Sequence, residues 1–206
     1  MKILHTSLAI VTGSLVLTAS LHCATEGEHT PAENPRGPMK GATEIIKKQD
    51  PPITTPALAD QITPDNSRII VSLKRQRAFL MLGDQIYIDT PVSTGKPGGV
   101  TPTGTFSIQT RDTERRSTMH GDFVDKSGAV IRSGVSMRLD PAPGGTHFVS
   151  TPMRYFCRLN ADGIGIHAGA LPGYPASHGC IRLPEDIARV FFLKVKVGTP
   201  VEIRED

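Results

Sequence analysis

At 206 residues the chain holds one ordinary domain with a small appendage, enough to bury a core without a disulfide framework. A formal charge of +3 is too small to mark a nucleic-acid binder, although it suits an acidic polymer as partner. With 20 glycines, 17 prolines and no tryptophan, the composition favours a turn-rich, strand-rich body over a helical bundle.

Lys2 opens the chain, followed by an uncharged, largely apolar run from Ile3 to Leu21 with small residues at Thr18, Ala19 and Ser20. One basic residue, a short apolar core and a small-residue end read as a secretory signal peptide over residues 1–22. A membrane-spanning helix needs about 20 strongly apolar residues, and Thr, Ser and Gly dilute this run. The protein is therefore expected to be exported, to the periplasm or cell envelope. Cys23 offers the alternative of a lipid anchor, although Ser20-Leu21-His22 fits a lipoprotein cleavage pattern poorly. Residues 23–65 are rich in Pro, Thr, Glu and Lys, with too little apolar surface to offset ordering, and are expected to form a flexible tether. A chain starting near Asp65 is then expected to fold.

Residues 66–206 carry the domain. "RIIVSL" is a compact β-branched strand, and "RAFLMLGDQIYIDTPV" reads as strand, Gly83-Asp84 turn, strand. "TGTFSI" continues the pattern. Thr110 to Gly145 is polar and Gly-rich, apart from an apolar island at Val130 and Ile131, and predicts long loops or short strands. "GTHFVSTPMRYFCRL" and "GIGIHAG" are further strands. Pro184, Glu185 and Asp186 open a helix, with Ile187, Val190 and Phe191 on one face and acidic side chains in its first turn. "GTPVEI" closes with a strand. The fold expected is mainly β, with few and short helices.

Chemistry concentrates in "IHAGALPGYPASHGCIRLP", Ile166 to Pro184. Nucleophilic cysteine catalysis needs a thiolate, an oriented base and donors for an oxyanion. No histidine follows Cys180, so its base must come from upstream: His167, His178, His147 or His120. His167 is favoured, because it ends a strand and "AGALPGYPA" can fold back to bring Cys180 beside it. His178 would then brace the loop or position substrate. Gly179 lets the backbone turn sharply, and its amide and that of Cys180 could face a developing oxyanion. A histidine contact, with Arg182 pointing inward, is expected to lower the Cys180 pKa and make it react faster than Cys157 at mildly acidic pH. Cys157 reads as a free core cysteine; pairing with Cys180 would block the thiol chemistry. Zinc on His167, His178 and Cys180 is the rival reading, but neither His-Glu-x-x-His nor Cys-x-x-Cys is present, and no metal or other cofactor is expected. "STGKPGG" lacks P-loop spacing and is taken as a structural turn.

"SHGCIRL", preceded by "GIGIHAG" and followed by an apolar helix, resembles the signature of the bacterial L,D-transpeptidases of the YkuD family. "PVSTGKPGGVTPTGTF" is similar to a second stretch of that family, in the same order, so the resemblance runs from about Ser67 to Ile203. It implies a β-sandwich or mixed-sheet catalytic domain acting on peptidoglycan stem peptides. Cys180 matches the nucleophile and His167 the base, with the carbonyl of Ala168 orienting that histidine. Ser177, His178 and Gly179 match the rest of the motif, with Ser177 and Arg182 on the substrate side. Arg182 would meet a substrate carboxylate, or else form a surface ion pair. The spacing from His167 to Ser177 is shorter than in many members, so the loop is compact. The partners implied are stem peptides and, as acceptor, a second stem peptide or a cell-wall lipoprotein; the chain is expected to be a monomer. An L,D-carboxypeptidase using water and a non-catalytic peptidoglycan-binding module are the alternatives.

Overall fold

The computed structural model describes residues 49–98 and 100–206. The expected signal peptide, Cys23 and the first part of the expected tether lie outside the described residues. Strands run in the order β1 (Ile53–Thr54), β2 (Ser67–Ser72), β3 (Arg77–Leu82), β4 (Gln85–Pro91), β5 (Gly104–Ser107), β6 (Thr110–Asp112) and β7 (Arg116–Val124). They continue with β8 (Val130–Ser136), β9 (His147–Pro152), β10 (Phe156–Arg158), β11 (Gly165–Ala168), β12 (Ile181–Leu183) and β13 (Pro200–Arg204). A helix, α1 (Glu185–Lys194), separates the last two.

Three sheets result. The largest has the order β1-β4-β3-β2-β13-β5, the second β12-β11-β10-β6 and the third β8-β7-β9. The β3–β4 hairpin turns through Gly83-Asp84, with Leu82 opposite Gln85. Period-2 alternation decides the faces: in β2, Ile69 and Val71 are buried while Arg68 and Ile70 are half-buried. The apolar faces of the first two sheets meet α1 in one core, which joins Ile69, Leu80 and Ile88 to Ile166, Ile181 and Leu183 and to Ile187 and Phe191. Pro184 ends β12 and starts α1 at once, so the helix covers the sheet that carries the motif.

Two expectations need correction. The stretch from Thr110 to Gly145, read as loops or short strands, contains the nine-residue β7 and the seven-residue β8. Their alternation was hidden because β8 has one exposed run, Val130 to Gly134, in which apolar Val130 and Ile131 stay in solvent. The flexible segment expected through residue 65 also ends too late. Ile53 and Thr54 pair with β4, and Leu58 and Ile62 enter the core at 7% and 0% exposure. Lys194 Nζ donates to the carbonyls of Ala59 and Ile62 at 2.8 and 3.0 Å, tying this segment to the end of α1. Two buried apolar side chains and one lysine thus anchor a segment whose average composition is polar.

Leu58→Ala and Ile62→Ala should each lower stability by about 2–5 kcal/mol, the range for emptying a core aliphatic site. A chain beginning at residue 66 should show a correspondingly lower denaturation midpoint. An unchanged midpoint would mean that this segment lies on the domain without contributing to it.

Candidate active site

β11 and β12 are parallel neighbours, with Ile166 opposite Ile181 and His167 opposite Arg182. Ile166, Ile181 and Leu183 turn to the core. By the same alternation His167, Arg182 and Cys180, which directly precedes β12, turn to the other face. There they line a cavity of about 240 Å³ whose further walls come from β7, β8 and β9 through Met119, Gly134 and Thr151. The short parallel pairing thus brings two residues 13 positions apart to the wall of one cavity.

The loop before Cys180 is held from below. Ser93 exchanges both backbone hydrogen bonds with Arg182, at 3.1 and 3.0 Å, and its hydroxyl donates to Tyr174 O at 2.7 Å. Ser177 N donates to Thr94 O at 2.9 Å, and Thr94 is itself clasped by the buried Gln76 side chain. Thr101 Oγ donates to Gly179 O at 2.7 Å and accepts from Gly95 N at 2.9 Å. Gly179 has φ +126°, and a Cβ there would come within 2.5 Å of Ile164 Cδ1, so any side chain would be both strained and crowded. The "VSTG" and "TPTG" stretches are therefore the bed on which the cysteine loop lies. Thr101→Val keeps the shape but strands Gly179 O and Gly95 N in a buried site. It should cost about 1–3 kcal/mol in thermal unfolding and slow alkylation of Cys180; unaltered unfolding and reactivity would show that the clasp is incidental.

His167 is 5% exposed, and its Nδ1 lies 2.7 Å from Ala168 O. A neutral ring that donates there presents Nε2 as a free acceptor. Burial drives its pKa down to about 4, with the Ala168 hydrogen bond opposing and the Arg182 charge assisting. The Cys180 thiol contacts Gly163 O at 3.8 Å. Burial raises the thiol pKa, against the Gly165 backbone and the charges of Arg182, Arg115 and Arg158. This corrects the expected lowering: the desolvation of a half-buried sulfur outweighs its cationic neighbours, and the pair rests as neutral thiol and neutral imidazole. Cys157 is free and buried in β10, its thiol pushed up to about 12, again by burial. Both cysteines are unpaired, so no disulfide blocks Cys180.

His178 is exposed and its ring stacks on that of His120, with centroids 3.9 Å apart and planes 12° from parallel. Both rings line the cavity, and burial holds both below the usual imidazole range. His147 begins β9 on the surface and does not line it. Ser177, expected on the substrate side, is among the residues that line the cavity; it is 1% exposed, and its hydroxyl works inside the loop. It donates to Cys180 O at 2.5 Å and accepts from Gly179 N at 2.9 Å. The Gly179 amide, expected as an oxyanion donor, is thereby engaged with Ser177. The surface ion pair considered for Arg182 is absent among the described residues: its guanidinium meets no carboxylate. Among the described residues no three His, Cys, Asp or Glu side chains converge to hold a metal ion. The sequence reading missed Thr101, Gln76 and the cavity-lining Arg115; threonine and glutamine in the "TPTG" and "RQR" stretches carry no local sign of a partner tens of residues away.

A thiol and a buried, backbone-oriented imidazole thus line one cavity together with two arginines on a β-rich scaffold. A family model for the L,D-transpeptidase catalytic domain, YkuD, matches residues 66–203. The chain belongs to this family. Among solved structures, an L,D-transpeptidase from Mycobacterium smegmatis is similar at 19% identity and a TM-score of 0.51, over 68% of this chain and 58% of that one. The L,D-transpeptidase LdtMt1 in complex with imipenem is similar at 20% identity and the same TM-score, over 67% of this chain and 58% of that one. The chain thus spans less than two thirds of either structure, and the likeness is one of fold. No match was found among curated proteins.

Proposed function

We propose that this protein is an exported L,D-transpeptidase that acts on peptidoglycan stem peptides through a thioester on Cys180. The observation that carries the reading is the β11–β12 register, with Cys180 and Arg182 on the face of His167 and His167 Nδ1 pinned to Ala168 O. In the first half-reaction the thiol leaves Gly163 O and passes its proton to His167 Nε2. The sulfur attacks the carbonyl carbon of the third, diamino-acid residue. The Cys180 amide receives the oxyanion, since that of Gly179 is held by Ser177. Collapse breaks the bond to the terminal D-alanine nitrogen, which takes the proton from the imidazolium and leaves. In the second half an acceptor amine gives its proton to His167, attacks the thioester, and the sulfur departs and recovers that proton. The acceptor is a second stem peptide or a lipoprotein lysine.

Mass analysis of stem peptides incubated with the protein tests this directly. A cross-linked dimer with release of D-alanine is expected. A shortened monomer alone would make the protein a carboxypeptidase, and unchanged peptide would make it a binding module. A carbapenem, as a strained acyl donor, should add its mass to the peptide that contains Cys180.

A further inference from the structure

Arg115 lies in the turn between β6 and β7, outside every motif of the sequence, yet it lines the same cavity as Cys180, His167 and Arg182. Its carbonyl accepts from Met153 N at 2.7 Å, which fixes the turn to the end of β9. Its guanidinium carbon lies 5.2 Å from the centre of the Phe156 ring, and that ring packs against His167 with centroids 6.2 Å apart. The acids nearby are engaged elsewhere: Arg154 takes Glu114 at 3.5 Å and Glu185 at 2.9 Å. Among the described residues no carboxylate pairs with Arg115 or with Arg182. Asp162 is the one acid among the cavity's lining residues. Two guanidiniums without a carboxylate partner face the cavity that holds the sulfur, with a single acid among its lining residues, and the planar fork of arginine suits a carboxylate. Both charges act on the Cys180 thiol, which places them within electrostatic reach of the reacting carbon.

We propose that Arg115 is a specificity-determining residue that, opposite Arg182, receives a carboxylate of the acyl donor, so that the cleft selects donors with free carboxylates flanking the scissile carbonyl. The identity of the donor rests on the transpeptidase reading; the anion preference of the cleft does not.

The preference is read by alkylating the full chain with iodoacetate and with iodoacetamide, scored on the peptide that contains Cys180. The ratio of the two rates cancels the thiolate fraction and reports the local charge. Arg115→Gln should lower the iodoacetate-to-iodoacetamide ratio several-fold and Arg115→Lys by much less, with the difference shrinking as salt rises. An unchanged ratio in Arg115→Gln and in Arg115→Met, with unfolding midpoints intact, overturns the proposal. On stem tetrapeptides amidated at one carboxylate at a time, the wild type should show a raised KM for each amide. Arg115→Gln should lose one of these discriminations with kcat little altered, and retention of both overturns the assignment. A shifted alkylation ratio with no peptide turned over by the wild type supports the anion-receiving cleft and removes the stem peptide as its donor.

Discussion

Cys180→Ser should lose turnover by several orders of magnitude, with the fold intact. The side chain is half-buried and the thiol already rests protonated, its pKa raised by desolvation. On the proposed mechanism, catalysis therefore depends on moving one proton to His167 as the sulfur attacks. A serine hydroxyl is far harder to ionise than a thiol, and the same desolvation would make its alkoxide harder still to form. Release of D-alanine from a stem peptide and the mass of the acylated protein are the two measurements. Both should vanish while the unfolding midpoint moves little. Turnover near the wild-type level would remove the sulfur from the mechanism.

His167→Gln is expected to reduce acylation roughly 10²–10⁴-fold, the usual contribution of a positioned base. Gln can still donate to Ala168 O, so the loss would isolate the missing acceptor nitrogen. His178→Gln should act mainly on the loop, because His178 stands on the rim against His120. The reverse ranking would transfer the base to His178. The pH dependence carries a second signature. With a pKa of about 4 in the folded protein, His167 remains a neutral base well below the ordinary imidazole value of 6.5. The acid limb of the wild-type rate should fall near pH 4 and be missing from His167→Gln. Between pH 6.5 and about 4 the unfolded chain binds this proton and the folded chain does not. Stability is therefore full above 6.5 and declines as pH falls toward 4. The loss is on the order of 3 kcal/mol, taking about 1.4 kcal/mol per pH unit. Denaturant midpoints at neutral pH and near pH 4 should show the wild type losing more than the variant; equal losses would place His167 in contact with water.

Much of the domain was legible because its signals are local. The Gly83-Asp84 hairpin, the alternation in "RIIVSL" and the helix opened by Pro184 each depend on neighbours within a few residues, and each lies where the sequence puts it. That His167 and Cys180 would face one cavity was also legible, since "GIGIHAG" and "SHGCIRL" lie close together in the chain. Short-range signals such as these set the residue types and their strands. Their environment was decided only by the tertiary structure. The direction of the Cys180 pKa depends on how much protein covers the sulfur, a sum over elements far apart in the chain. Ser177 was expected on the substrate side, and its hydroxyl is engaged because the loop turns it inward. The β7–β9 sheet brings His120 onto His178, and the β6–β7 turn brings Arg115 into the cleft, from a stretch whose polar composition resembled loop. Leu58 and Ile62 join a core cluster whose other members reach Ile203, and Lys194, more than one hundred positions away, ties the carbonyls of Ala59 and Ile62 to the end of α1. Periodicity reports which face of an element is apolar; which other element covers that face is a property of the packed chain.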